Sequence, residues 1–178
     1  KKLTQTISKQ VDDIGKLVDE FSSFARMPEA EIRLDNLSEV LKESVNLYLN
    51  SQPKVNIKFF PSEKDIFFQF DRFQMSQAIN NIIKNALEAV INIPNPSITI
   101  NISQNDNLIL ISVIDNGVGI DQNNISKLFE PYYTTKEKGT GLGLSIVKKI
   151  IEDHSGNIKI EKNKNMTGTT TIITFKTK

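Results

Sequence analysis

The residues best suited to chemistry lie in one stretch of the chain, residues 115–147. Five of the eight glycines of the 178-residue chain fall between Gly117 and Gly143, so unusual backbone geometry is concentrated there. Glycine allows positive φ and lets the backbone approach a ligand closely. The last glycines lead into an apolar helical pattern that begins at Leu144. This predicts free N–H groups at a helix N-terminus, a ready site for phosphate. The stretch therefore predicts a nucleotide site with a mobile cover.

Each part of this stretch also has a simpler interpretation. Turns use Gly-x-Gly constantly, and a carboxylate such as Asp115, at the end of the apolar run 108–114, could cap a turn. Other nucleotide signatures are missing. The pair Gly15-Lys16 lacks the other residues of a P-loop, and no protein-kinase set with a paired lysine and a catalytic aspartate is present. The combination of two glycine clusters is what favours the nucleotide site.

Composition excludes several partners and chemistries. The net charge of +1 gives no reason to expect nucleic acid or a membrane surface as a partner. Without cysteine there is no disulfide, thiol nucleophile or cysteine-bound zinc. The sequence contains neither an apolar run of about 18 residues nor a signal peptide. It begins inside a helical pattern, so we expect it to be part of a longer protein.

Apolar spacing predicts the elements that position these residues. An amphipathic helix is predicted over residues 1–27, ended at Pro28. It cannot bury its apolar face alone, so it packs either on partner helices or on its own domain, and the pattern does not decide between the two. Ser38 is the expected N-cap of a second helix. The other predicted elements are strands at 32–35, 55–60, 66–70, 97–103, 108–114, 157–161 and 169–175, and helices at 71–91 and 144–154. They predict an α+β fold, a two-layer sandwich whose sheet is covered on one face by three helices.

The long predicted helix at 71–91 carries polar side chains opposite its apolar stripe. Asn81, Asn85 and Glu88 lie one turn apart on the polar side, with Lys84 beside them. An amide oxygen can complete the oxygen shell of Mg²⁺, which binds mainly to substrate phosphates and water. Asparagine is frequent throughout the chain, however, so for this helix alone an ordinary solvated face is the favoured interpretation.

Together these motifs give the chain a family resemblance. In order they are NIIKNA at 81–86, DNGVG at 115–119, LFEP at 128–131 and GTGLGL at 139–144. They resemble the catalytic domain of bacterial two-component sensor histidine kinases, in the superfamily that includes gyrase, Hsp90 and MutL. The sequences of residues 19–28 and 130–144 are similar to those of nitrogen-regulation kinases of the NtrY type. The resemblance implies a Bergerat-type ATP-binding fold with a mixed sheet at 29–178. It also implies that 1–28 is the second helix of a dimerisation and phosphoacceptor hairpin.

The resemblance assigns roles to particular side chains. Asp115 is expected to accept a hydrogen bond from the adenine amine, and Asn85 to hold Mg²⁺. Asn81 and Lys84 are expected near the phosphates, and Lys136 is expected to offer its charge to the γ-phosphate. Asn81, Lys84 and Lys136 are therefore the expected catalytic residues.

The resemblance also implies a lid over the nucleotide at residues 120–141, with Phe129 packing it down. Thr169 is expected to support the adenine through water, while Gly117 and Gly119 let the chain pass close to the nucleotide. The remaining expected nucleotide contacts are Ile120, Thr135, Gly139, Thr140, Gly141, Leu142, Gly143 and Leu144.

One position bears on the reaction. ATPases related to Hsp90 and gyrase place a glutamate general base one turn before the magnesium asparagine, whereas Asn81 stands there and cannot take a proton from water. This favours transfer of the γ-phosphoryl group to a histidine, for relay to a response regulator. A related ATPase, or a nucleotide-regulated interaction module without catalysis, remains an alternative. The single histidine, His154, is predicted to be structural at a helix C-terminus, so the acceptor histidine is absent from this chain.

The resemblance further implies ATP and ADP as ligands with Mg²⁺, and a homodimer formed through the helical hairpin of the full-length protein. No nucleic acid partner is expected, and a membrane is expected only through segments absent from this sequence. The expected location is the cytoplasmic portion of an inner-membrane sensor kinase.

Overall fold

The computed structural model describes residues 28–136, 139–164 and 166–177, together with Val11 and Gly15. The helix predicted over 1–27 lies outside the described residues apart from those two positions. Among the helices that the structure describes, none combines the length and hydropathy needed to cross a bilayer. The elements in chain order are β1 (Arg33–Asn36), α1 (Leu37–Ser51), β2 (Asn56–Phe60), β3 (Phe67–Phe70), α2 (Arg72–Val90), β4 (Ser97–Asn105), β5 (Leu108–Asp115), a 3₁₀ helix (Gln122–Lys127), α3 (Gly143–Asp153), β6 (Gly156–Lys162) and β7 (Thr169–Lys176).

The strands form two sheets. The larger has five strands in the order β2-β4-β5-β7-β6, in which β2 and β4 are parallel and the other neighbours antiparallel. A separate antiparallel ribbon joins β1 to β3. The predicted α+β fold with a mixed sheet and three helices is confirmed. The separate ribbon was not predicted.

The core lies between the five-stranded sheet and the helices. Strand β4 alternates in the expected way, with Ile98, Ile100 and Ile102 buried and the residues between them partly exposed. Helix α2 presents its predicted stripe to the same core, and the buried members of this stripe are Ile79, Ile82, Ile83, Ala86 and Val90. Burial of this stripe leaves the opposite face of α2, with its asparagines, free to form a site.

The helix that follows β1 begins two residues earlier than the sequence suggested. Asn36, rather than Ser38, is its N-cap, and the Asn36 side chain accepts a hydrogen bond from the amide of Glu39 at 3.2 Å. The prediction for Ser38 was wrong because its hydroxyl accepts a hydrogen bond from the amide of Ile66, 3.1 Å away in the core. Helix α2 begins as predicted, with Asp71 as its N-cap.

His154 joins the end of α3 to the start of α2. Its side chain is buried, with Nδ1 2.7 Å from the carbonyl oxygen of Ile150 and Nε2 accepting a hydrogen bond from the amide of Asp71 at 2.9 Å. These partners place the proton on Nδ1 and leave the lone pair of Nε2 occupied. The geometry supports the structural role predicted for this histidine.

Candidate functional site

The carboxylate of Asp115 lies at the end of β5, enclosed by backbone amides. The residue is only 5% exposed, and its Oδ1 accepts hydrogen bonds from the amides of Gly117 at 2.8 Å and Thr169 at 3.2 Å. Among the described residues both bonds end on Oδ1, so Oδ2 is the oxygen that can accept from a ligand. Burial raises the pKa of the Asp115 carboxyl above its ordinary value, against the two amide hydrogen bonds, which lower it. Thr169, expected from the resemblance to support the adenine through water, reaches Asp115 with its backbone amide.

The turn between β6 and β7 closes over the backbone of Asp115. Gly168 has φ +111°, and a Cβ on it would lie 2.0 Å from the carbonyl oxygen of Asp115. That carbonyl also accepts a hydrogen bond from the side-chain amide of Asn163 at 2.8 Å. The same side chain accepts a hydrogen bond from Thr170 and donates to the carbonyl of Thr167. Sequence analysis missed Asn163, which has no motif around it. Its position in the hairpin turn beside Gly168 was the available signal.

Two glycines after Asp115 fit closely against their neighbours. A Cβ on Gly117 would lie 2.6 Å from the carbonyl oxygen of Ala89 on α2, and the amide of Val118 donates to that same oxygen. Gly119 has φ +76° and faces the backbone of Gly168. A side chain at position 117 would therefore clash with α2. This is a reason for glycine there in addition to the close approach to a nucleotide that the sequence predicted. This packing joins the Asp115 loop to the C-terminal part of α2.

Lys136 contacts the polar face of α2 next to the position where the Asp115 loop packs. The Lys136 ammonium donates to Asn85 Oδ1 at 3.2 Å and forms an ion pair with Glu88. Asn81 lies one turn before Asn85 and is partly exposed, while Lys84 is exposed. The structure therefore brings together Lys136 and Asn85, which the sequence predicted, and adds Glu88. No described contact links Lys84 or Asn81 to this group.

A magnesium ion is implied by the resemblance, and the donor set is compatible with one. The described residues include no group of three or more histidine, cysteine, aspartate or glutamate side chains that could hold a metal. A metal at Asn85 must therefore take most of its ligands from phosphate and water, as Mg²⁺ commonly does. The oxygens of Asn85 and Glu88 already hold a cation, the ammonium of Lys136.

The N-terminus of α3 is the candidate anion-binding end of the site. Its N-cap, Leu142, makes no side-chain capping hydrogen bond, so the first amides of the helix remain available to a phosphate. A Cβ on Gly143 would meet nothing within 4 Å, so the space in front of this turn is open. Leu142, an expected nucleotide contact, is fully buried as a whole residue. Leu144 is partly exposed.

The segment predicted as a lid connects these parts. Its described residues include the 3₁₀ helix, and the Lys148 ammonium lies 5.7 Å from the centre of the Phe129 ring, a cation–π contact with α3. The amide of Tyr132 donates to the carbonyl of Gly141, whose φ is +72°. The hydrogen bond between Tyr132 and Gly141 thus closes this part of the segment into a loop, and Lys136 lies within the loop. Ile120, Gly139 and Thr140 are partly exposed and Thr135 is exposed.

Two open cavities of about 290 Å³ each lie elsewhere on the surface. One is beside the β6–β7 hairpin and includes Asn163 and Thr170; the other lies near Ser62 and Asp106. Neither is lined by Asp115, Lys136 or the start of α3. The candidate site is therefore the surface along α2, between Asp115 and α3.

Comparison with known proteins identifies the family. The family described as histidine kinase-, DNA gyrase B-, and HSP90-like ATPase matches residues 70–178, which include all three parts of the site. The chain belongs to this ATPase family. The nitrogen regulation protein NtrY of Azorhizobium caulinodans is 46% identical over 165 residues, which cover 88% of this chain and 21% of that protein. The chain thus spans about a fifth of the length of this relative.

Solved structures of this ATPase family have the same fold. The catalytic domain of the histidine kinase ThkA superposes with a TM-score of 0.73 at 33% identity, covering 82% of this chain and 97% of that one. ThkA in complex with the response regulator protein TrrA gives a TM-score of 0.80 at 27% identity and covers 100% of this chain and 51% of that chain. The predicted similarity to the catalytic domain of NtrY-type sensor histidine kinases is confirmed.

Proposed function

We propose that the chain binds ATP with Mg²⁺ and transfers the γ-phosphoryl group to a histidine outside this sequence, for relay to a response regulator. The observation that carries the proposal is the juxtaposition along α2. Ala89 packs against the Asp115 loop, and the adjacent Glu88 meets Lys136 of the lid. A nucleotide lying along this face would have its base at Asp115 and its phosphates between Lys136 and the first turn of α3.

Within this arrangement the residues of the chain bind and orient. The Asp115 carboxylate selects adenine through its amine, and the amides at the start of α3 hold phosphate oxygens. Mg²⁺, when bound with the nucleotide at Asn85, would neutralise phosphate charge during transfer. Lys136 would add positive charge at the terminal phosphate. Asn81 provides no general base, which favours transfer to a protein acceptor over hydrolysis.

The same proposal extends to the parts outside the described residues. Residues 1–28 would belong to a dimerisation and phosphoacceptor hairpin, and residues 29–178 would form the catalytic domain. The whole protein would act as a homodimer in which this domain lies on the cytoplasmic side of an inner-membrane sensor. The similarity to NtrY and to ThkA in its complex with the response regulator protein TrrA supports the relay to a response regulator.

Calorimetric titration with ATP and GTP, each with Mg²⁺, tests the proposal directly. ATP is expected to bind and GTP is not, because guanine presents a carbonyl oxygen to the Asp115 carboxylate where adenine presents an amine. Failure to bind any adenine nucleotide would instead indicate an interaction module. Sustained phosphate release by the isolated chain would indicate an ATPase.

Replacing Asp115 with asparagine is expected to weaken ATP binding. The Asp115→Asn amide can keep its oxygen on the amides of Gly117 and Thr169, which turns its NH₂ group toward the adenine amine. Loss of a hydrogen bond to a charged acceptor costs about 1.5–3 kcal/mol, roughly 10- to 150-fold in affinity. Calorimetry measures this loss, with the unfolding midpoint as a control for the fold. Unchanged affinity would remove Asp115 from the adenine site.

The lid is expected to respond to the γ-phosphate. With Mg²⁺, a non-hydrolysable ATP analogue should slow amide hydrogen exchange across residues 120–141 more than ADP does, because only the former carries the group that Lys136 would contact. Hydrogen exchange read by mass spectrometry measures the difference, with peptides from β4 as the internal reference. Equal protection by the two nucleotides would mean that the lid does not detect the γ-phosphate.

A further inference from the structure

Glu88 makes a contact at the proposed nucleotide site for which the sequence motifs gave no role. Its carboxylate pairs with the ammonium of Lys136, which also contacts Asn85 Oδ1 at 3.2 Å. Lys136 lies 48 residues after Glu88 in the chain, so the contact connects the lid to α2. A single ammonium therefore bridges two oxygen donors on one helix.

The two oxygen donors suit a cation. Asn85 and Glu88 are three residues apart on α2, so their side chains are neighbours on one face of the helix. Amide and carboxylate oxygens are also the ligands that Mg²⁺ prefers. An ammonium and a divalent cation repel each other strongly at contact distance, so the pair can hold only one of them at a time.

The ion pair is of a kind that can be displaced. The side chains of Lys136 and Glu88 are 45% and 40% exposed. Exposed pairs gain little free energy because solvent screens them. A metal ion already bound to a nucleotide triphosphate could therefore replace the ammonium at low cost.

We infer that Glu88 is a positioning residue that holds Lys136 against α2 until the metal ion of a bound nucleotide takes the place of its ammonium. Lys136 is then free to reach the terminal phosphate. The inference rests on the proposed function, since it needs a metal-bound nucleotide at this site. It has a further consequence: if no metal is present, Lys136 stays paired with Glu88 and is not available to the phosphates.

Chemical labelling of lysines, in the absence of nucleotide, tests whether Glu88 holds Lys136 against α2. In the Glu88→Gln variant, acylation of Lys136 by an N-hydroxysuccinimide ester is expected to be roughly fivefold faster than in wild type, the size of an exposed ion pair. Rates are read for each lysine by mass spectrometry. The matched control is Asp153→Asn, which removes the Lys149 ion pair, also 45% and 40% exposed. It should accelerate labelling of Lys149 and leave Lys136 unchanged. An unchanged rate at Lys136 in Glu88→Gln overturns the inference.

The metal dependence of ATP binding tests whether the metal ion of a bound nucleotide replaces the Lys136 ammonium. The ratio of the ATP dissociation constant in EDTA to that in Mg²⁺ is expected to fall roughly fivefold in Glu88→Gln, because Lys136 is then free to reach the phosphates even without a metal. A purely structural role for Glu88 would change both constants equally and leave the ratio as in wild type, which would also overturn the inference. Failure of wild type to bind Mg²⁺-ATP at all would contradict the proposed function instead, and the lysine labelling without nucleotide would still test the ion pair.

Discussion

Incubated with Mg²⁺ and ATP labelled on its γ-phosphate, the 178-residue chain is expected to bind nucleotide and remain unlabelled. Its only histidine is His154. That residue is 4% exposed, its Nδ1 is directed at the carbonyl of Ile150, and its Nε2 accepts a hydrogen bond from the amide of Asp71. Neither ring nitrogen has a free lone pair for attack on phosphorus. Filter binding and autoradiography measure the two parts of this result separately.

Labelling should appear when a separate polypeptide carrying the phosphoacceptor helix of an NtrY-type kinase is added. The label is expected on that polypeptide and to be lost in acid, as a phosphorus–nitrogen bond is. The matched control is the same polypeptide with its histidine replaced by glutamine, which should stay unlabelled. Label found at His154 would contradict the division between acceptor and catalytic parts that we propose.

A methyl group at Gly168 is expected to disrupt the adenine end of the site. In Gly168→Ala the new Cβ would lie 2.0 Å from the carbonyl oxygen of Asp115, and the residue would keep a φ of +111°. The carbonyl is part of the backbone and the Cβ is fixed directly to it, so neither can move aside as the end of a flexible side chain would. Overpacking of about 1–3 kcal/mol and a positive-φ cost of about 1–2 kcal/mol together predict a loss of roughly 2–5 kcal/mol in the free energy of unfolding. Urea unfolding measures it, and nucleotide affinity should fall in parallel.

Gly143→Ala separates this effect from a general intolerance of glycine substitution. Gly143 is the first residue of α3, and a Cβ there would meet nothing within 4 Å. The free energy of unfolding should therefore change by less than about 0.5 kcal/mol. The added methyl group would occupy the space proposed for phosphate, so affinity for ATP should still fall. A stable Gly168→Ala protein with normal affinity would show that the β6–β7 turn can move away from Asp115.

The parts of the site that could be predicted from sequence have local signals. The apolar stripe of α2 repeats at helical spacing, and the glycines around Asp115 and Gly143 lie within short motifs. By themselves these signals predicted the sandwich and a nucleotide site at the two glycine clusters, and the family resemblance added the expected roles of Asp115 and of the asparagine face. The local signals are carried by neighbours in the chain, so no tertiary information was needed.

The parts that could not be predicted depend on residues far apart in the chain. Glu88 acquires its role from Lys136, and Asn163 from the backbone of Asp115; each pair is 48 residues apart. Ser38 has the residue type of an N-cap, but its hydroxyl is used by Ile66, 28 residues away. The parallel pairing of β2 with β4 is similarly set by the packing of whole elements. Apart from the position of Asn163 in the turn beside Gly168, a single sequence contains no local trace of such contacts.

The hydrogen bond between His154 and Asp71 joins α3 to α2, the two helices that carry the proposed phosphate end of the site. It joins them at the ends away from that site, since Gly143 begins α3 and Asn85 lies well along α2. At 1.5 Å per residue, the lever arm along α3 is about 16 Å, so tilting it by roughly 4° would move Gly143 by about 1 Å. A displacement of that size is enough to misplace reacting groups and slow transfer by about a hundredfold. The alignment of the proposed phosphate-binding turn thus depends on a side chain at the far end of α3.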